Sequence, residues 1–367
     1  MKFPFLTLIS LSLIGTSFAQ SSDLFPENAN RLDFETDGLF SGDIDVISSV
    51  LRFEQNRGSW NFSGNVGQSY HRVEYTPTFV TSAVTRRENS QNYDFRVEKT
   101  INPYFTVTGS VAYGQGFTDH RSIWISEYYD QLNGFDPAYR EADPETFSGS
   151  LGLQWNYKPG KSFVSVALSQ ADTTIVPGWE TDVNELTGEA TLFSTQDTLR
   201  TFSGTLIWNS IINSRLRSQQ TLRIGRTESR RIRTQFQSEF AYALTDEFTM
   251  RLQLGGAHED PTFISRYGGV NFVYDFNQQW QLNLGYRYYE DTGEVNTSNF
   301  NTAAPAISTR ELSAGLRWTN GSMSVLGSVG LYTTDYESVL GTGNVFFSGL
   351  YQDRDFTAAR LAITYQF

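Results

Sequence analysis

The chain has 367 residues, a formal net charge of -12 at pH 7 and no cysteine. The acidic balance leaves no basic stripe for a nucleic-acid partner, and the lack of thiols leaves neither a disulfide framework nor thiolate chemistry. Aromatic residues and glycine are abundant, and no linker, low-complexity tract or repeat of fixed period divides the sequence, so one domain is expected and propellers or solenoids are disfavoured.

Residues 1–19 read as an export signal. Lys2 supplies the positive start, Phe3 to Ile14 is mostly apolar, and Ser17-Phe18-Ala19 is a small-x-small cleavage site. Cleavage after Ala19 leaves a mature domain over residues 20–367. The apolar run is too short to span a bilayer as a helix. Beyond it no window approaches the ~18 uninterrupted apolar residues of a membrane helix.

Downstream, segments of roughly 9–13 residues alternate between apolar and polar, near the ~9–11 that a tilted membrane strand needs. Successive side chains of a strand point to opposite faces. Phe105, Val107, Val111 and Tyr113 thus share one face, and Thr106, Thr108, Ser110, Ala112 and Gly114 the other. Phe147, Leu151, Leu153, Trp155 and Tyr157 oppose Ser148, Ser150, Gly152, Gln154 and Asn156 in the same way. Phe248, Met250, Leu252 and Leu254, and then Trp280, Leu282, Leu284, Tyr286 and Tyr288, repeat the pattern. Apolar faces begin or end on an aromatic, where a barrel carries its girdles.

The connectors alternate too. Short turns at 56–59, 102–104, 159–162, 211–214, 245–247, 277–279 and 320–322 are separated by longer stretches at 75–90, 117–145, 175–196, 227–231, 258–263, 292–307 and 336–354. Membrane barrels keep short turns on the periplasmic side and longer loops outside. The strand over 43–55 ends in a short turn, so one upward strand must precede it. Residues 30–38 are the candidate, although Leu32, Phe34 and Glu35 alternate poorly. The expected fold is all-β: a transmembrane antiparallel up-and-down β-barrel of 16 strands, with 14 left open.

The last stretch completes the pattern. Leu361, Ile363, Tyr365 and Phe367 share one face, against Arg360, Ala362, Thr364 and Gln366, and the chain stops on the aromatic. This resembles the C-terminal strand signature of Gram-negative outer-membrane β-barrels, which the assembly machinery of that family reads. The layout as a whole (signal peptide, 16 strands, terminal Phe, long third external loop at 117–145) is similar to that of general porins, whose third loop folds inward as a constriction. Porin third loops often carry Pro-Glu-Phe-Gly; the nearest text here is Asn133-Gly134-Phe135-Asp136-Pro137. The resemblance implies an outer-membrane location, contact with lipid and lipopolysaccharide, the barrel-assembly machinery as a partner, small hydrophilic solutes as cargo, and room for a homotrimer.

By parity from the apolar faces, Arg96, Arg217, Arg223, Arg233, Arg251, Arg287, Arg317 and Arg360 point inward. Asp94, Glu98, Glu239 and Glu311 are interleaved with them. The third loop is acidic, with Asp130, Asp136, Glu141, Asp143 and Glu145 against Arg140. Folded inward, it would set carboxylates across from an arginine wall and bias which solutes pass, as charged rings do in pores. The competing reading is that arginines and carboxylates such as Arg233, Glu239 and Arg251 neutralise one another and fill the lumen, leaving a barrel for polysaccharide export or surface anchoring.

At the outer rim, Arg226, Arg230 and Arg231 suit lipopolysaccharide phosphates or a merely solvated edge. Ser218 and Gln220 fall on the lipid-facing side, where a subunit interface or a misjudged register would explain them. The histidines are His71, His120 and His258. His120-Arg121-Ser122 has the spacing of barrel lipid hydrolases but falls in a loop, and His258-Glu259-Asp260 reads as a polar rim. No metal-ligand spacing occurs. Neither catalysis nor a metal or cofactor is expected.

Overall fold

The computed structural model describes residues 30–76, 81–116, 144–183, 190–228, 231–260, 263–293, 306–337 and 349–367, with the side chains of 175–197 left aside. Sixteen strands account for most of them: β1 (Arg31–Phe40), β2 (Ile44–Arg57), β3 (Trp60–Tyr75), β4 (Val84–Asn102), β5 (Phe105–Gln115), β6 (Glu145–Lys158), β7 (Ser162–Val183), β8 (Ala190–Ile211), β9 (Leu216–Thr227), β10 (Ile232–Ala243), β11 (Phe248–Glu259), β12 (Phe263–Asp275), β13 (Trp280–Asp291), β14 (Ile307–Asn320), β15 (Met323–Tyr336) and β16 (Arg354–Gln366). Each pairs antiparallel with its sequence neighbours, and β1 pairs with β16 from Arg31↔Gln366 to Phe40↔Thr357, which closes the barrel. Closure removes the sheet edge within the belt, while the projecting ends of β4, β7 and β8 pair on one side only.

The expected apolar faces all point outward. Leu151 is 72% exposed, Leu168 68% and Leu331 66%. Surface of this kind is costly in water and stable in hydrocarbon. Trp60, Trp155, Trp208, Tyr274, Trp280, Tyr365 and Phe367 mark the short-turn end of this belt. At the loop end the outward face turns ionic: Asp45 of β2 lies opposite Arg72 of β3, Asp172 of β7 opposite Arg200 of β8, and Arg266 of β12 opposite Glu290 of β13, each an ion pair. The two ends of the belt are therefore chemically different.

Two kinds of residue make the short turns. Gly58, Gly160 and Gly321 have φ of 61°, 71° and 57°, a region where L side chains are strained. Elsewhere a side chain caps the turn: Asn102 Oδ1 accepts from the amides of Tyr104 and Phe105, Asn213 Oδ1 from Arg215 and Leu216, Thr245 Oγ1 from Glu247 and Phe248, and Asn277 Oδ1 from Gln279 and Trp280.

Three boundaries differ from expectation. β1 runs to Phe40, and its weak alternation resolves once Glu35 is seen to face inward. Residues 75–90 and 175–196 are not simple connectors. β4 begins at Val84, and β7 and β8 continue as a paired hairpin to Val183 and from Ala190. These stretches rise beyond the apolar belt, where neither face needs to be apolar, so the period-2 signal fades while backbone pairing continues. Pro177 is accommodated because the β7–β8 register shifts between Ile175 and Gly178, a bulge that spares a ladder donor. The signal segment 1–19 lies outside the described residues, as does most of 117–145.

Candidate pore lumen

The register places every predicted pore-lining residue on the inner face. Arg96 and Glu98 stand two apart on β4 and form an ion pair, opposite Ser110 and Thr108 of β5. Arg217 and Arg223 face inward on β9, and Arg223 Nη2 donates to Ser203 Oγ at 3.2 Å. Arg233 reaches Glu259 of β11 at 2.8 Å, with its guanidinium 4.5 Å from the centre of the Phe263 ring. Arg287 donates twice to Glu311 Oε2, at 2.9 and 2.5 Å. Glu239 accepts from Gln253 at 3.0 Å and from Gln237. Arg317 is buried, and the charges acting on it include Arg251, Arg360 and Asp275.

Arg360 occupies the closing seam. Its Nη2 lies 2.7 Å from Glu35 Oε1 and its Nε 3.4 Å from Asp37 Oδ1, while Arg52 Nη1 reaches the other Glu35 oxygen at 2.6 Å. Glu35, 3% exposed, thus ties β16 to β1 and β1 to β2. Below it, Thr364 Oγ1 donates to Asp33 at 2.6 Å across the same seam. Leu361, Ile363, Tyr365 and Phe367 sit on the opposite, outward face of β16.

Charge is distributed unequally around the wall. β9 to β16 carry the predicted arginines other than Arg96, together with Arg354, against Glu239, Glu259, Asp275, Asp291 and Glu311. β1 to β4 carry Asp33, Glu35, Asp37, Glu54, Glu88, Asp94 and Glu98 against Arg31, Arg52, Arg86 and Arg96. Between them, the inner faces of β5 to β8 are built largely from Ser, Thr, Gly and Ala. A hydroxyl row crosses this arc: Ser110–Ser150 at 2.7 Å, Ser150 opposite Ser169, then Ser169–Ser203 at 2.7 Å, ending at Arg223.

The acidic partner of the arginine wall was expected in the third loop. Asp130, Asp136, Glu141 and Asp143 lie outside the described residues. Glu145 does not belong to that loop: it is the first residue of β6, on the outward face, hydrogen-bonded to Tyr113. The described acidic face comes instead from β1, β2 and β4. Glu35, Asp37, Arg52 and Glu259 were missed. Counting parity from Phe34 and Leu254 would have found Glu35 and Glu259, because both fall on the polar side. Glu259 also turns away from its neighbour in sequence: it points inward to Arg233 while His258 is exposed on the outer face. His71 is buried on the inner face, opposite Glu88. Outside, Gln220 Nε2 donates to Ser218 Oγ at 2.9 Å, so the two lipid-side polar groups answer each other.

No protein-family model matches the chain, nor does any curated sequence. Solved structures do. Residues spanning 92% of this chain superpose on 60% of CdiB from Acinetobacter baumannii with a TM-score of 0.54 and 10% identity. The likeness is one of fold. Further matches are the Pseudomonas putida toluene transporter TodX (TM-score 0.44, 11% identity, 94% of this chain and 90% of that one) and a bacterial polysaccharide outer membrane secretin (0.48, 7%, 94% and 100%).

Proposed function

We propose that the protein is an outer-membrane channel through which small hydrophilic solutes diffuse passively. One observation carries the reading: half-way round the wall the inner face changes from ion-paired arginines and carboxylates to a broad arc of Ser, Thr, Gly and Ala on β5 to β8. A lumen meant to be filled by side chains would place large residues on that arc. Sixteen strands also enclose enough width for an aqueous path. Arginine suits the opposite wall because its charge persists in any surroundings. The reading assigns the protein no catalytic chemistry and no cofactor. It makes lipid, lipopolysaccharide and the barrel-assembly machinery the partners, with trimerisation as an option left to measurement.

Single-channel recording of the refolded protein in a planar bilayer tests it, beside a version lacking residues 120–143. Steady open steps support the channel, and larger steps in the deletion place a constriction in the third loop. Silence from a well-folded barrel would sink the proposal and favour export or anchoring.

A further inference from the structure

Among the described residues, the largest cluster of buried hydrophobic side chains lies inside the mouth at the loop end. Ile44 and Val46 of β2, Val73 and Tyr75 of β3 and Phe356 of β16 form a cluster with Leu350 and Tyr351, which precede β16 in the last external segment. All the strand members face inward, so Leu350 and Tyr351 are seated within the barrel. Leu350 is 1% exposed, whereas Gln352, two residues on, is exposed.

Arg354 shapes this segment. Its Nη1 donates to the carbonyls of Leu350 (2.7 Å) and Gln352 (3.0 Å), its Nη2 to that of Gly349 (3.0 Å), and its Nε to Asp43 (2.8 Å). The guanidinium thus holds a tight bend and anchors it to the β1–β2 turn. Gly349 lies so close to Thr76 that a Cβ there would stand 2.3 Å from the Thr76 carbonyl. The segment therefore leaves β16, passes β1 and β2, and rests on the end of β3. It crosses where residues 41–43 alone join β1 to β2.

We propose that residues 349–354 form a mouth latch, an external segment seated inside the barrel and pinned by Arg354, whose release opens the β16–β3 side of the entrance. Its conducting role rests on the channel reading; its seating does not. A flexible loop would not bury a leucine or spend four donor contacts of one arginine on its own carbonyls and a neighbouring turn.

The chain has no native cysteine, so an introduced one is the sole thiol. In the refolded barrel, Leu350→Cys is expected to react with a water-soluble maleimide about tenfold more slowly than Gln352→Cys, as protection by a closed state requires. Adding Arg354→Ala should raise the Leu350→Cys rate to that of Gln352→Cys while the heat-modifiable gel band of the folded barrel persists. Should that variant not fold, Asp43→Asn, which removes the anchor alone, should raise the rate part of the way. Equal rates at 350 and 352 with Arg354 intact overturn the latch, as does unchanged protection after its release. Larger conductance steps in the released variant support the gating role, and unchanged steps refute it. Silent bilayers alongside the expected labelling pattern count against the channel and leave the seating supported.

Discussion

Glu35 is held by two guanidiniums from different strands, and its carboxylate is almost fully withdrawn from solvent. Taking a charge out of water costs several kcal/mol, which the pairing offsets only while both sides are present. Glu35→Ala should therefore destabilise the barrel by about 3–5 kcal/mol, the range for removing one partner of a buried pair. Arg360→Met combined with Glu35→Leu should recover much of the loss. Urea unfolding of the refolded protein measures both, and a single variant as stable as the parent would show that the seam is not held ionically. Arg233 and Glu259 repeat the arrangement with an aromatic face added, so loss of Arg233 removes packing as well as charge.

Within one strand, adjacent positions face opposite media. On β6, Leu151 is the outward residue at mid-height and Ser150 is its inward neighbour, bonded to Ser110. Leu151→Arg should destabilise by about 2–4 kcal/mol, the cost of a cation at the bilayer midplane. Ser150→Arg should leave stability nearly unchanged. Comparable losses in the two variants would contradict the assigned faces. The turns obey a separate rule. Gly321 has φ 57° and its Cβ direction is open, so Gly321→Val should cost about 1–2 kcal/mol through backbone strain alone, visible as a lower unfolding midpoint with an unchanged denaturant slope.

Across the whole barrel, the arginine-rich wall of β9 to β16 and the carboxylate-rich wall of β1 to β4 set a field across the lumen. Arg251→Gln with Arg317→Gln should shift the reversal potential in a KCl gradient toward cations. Asp94→Asn with Glu98→Gln should shift it toward anions. Each change in permeability ratio should be about twofold near 0.1 M salt and shrink toward nothing at 1 M, where the Debye length falls to about 3 Å. Shifts of the same sign in both pairs would show that the walls do not act as opposed charges.

Much of this molecule is local and was therefore legible. Alternation decides which face of Phe147–Tyr157 meets lipid, and Asn or Gly at a short gap decides a turn, because period and turn chemistry depend on residues close in sequence. The same parity, carried through, puts every predicted arginine on the inner face. The partners could not be read this way. Arg360 and Glu35 meet only because β16 closes on β1, more than three hundred residues apart. Arg354 finds Asp43 by the same closure, and that contact draws Leu350 and Tyr351 into the mouth from a stretch that reads simply as a loop. Strand identity by itself is a property of the sequence here. Which charges pair, and which external segment turns inward, were decided by the ring, because only closure brings the two ends of the chain within reach of a hydrogen bond.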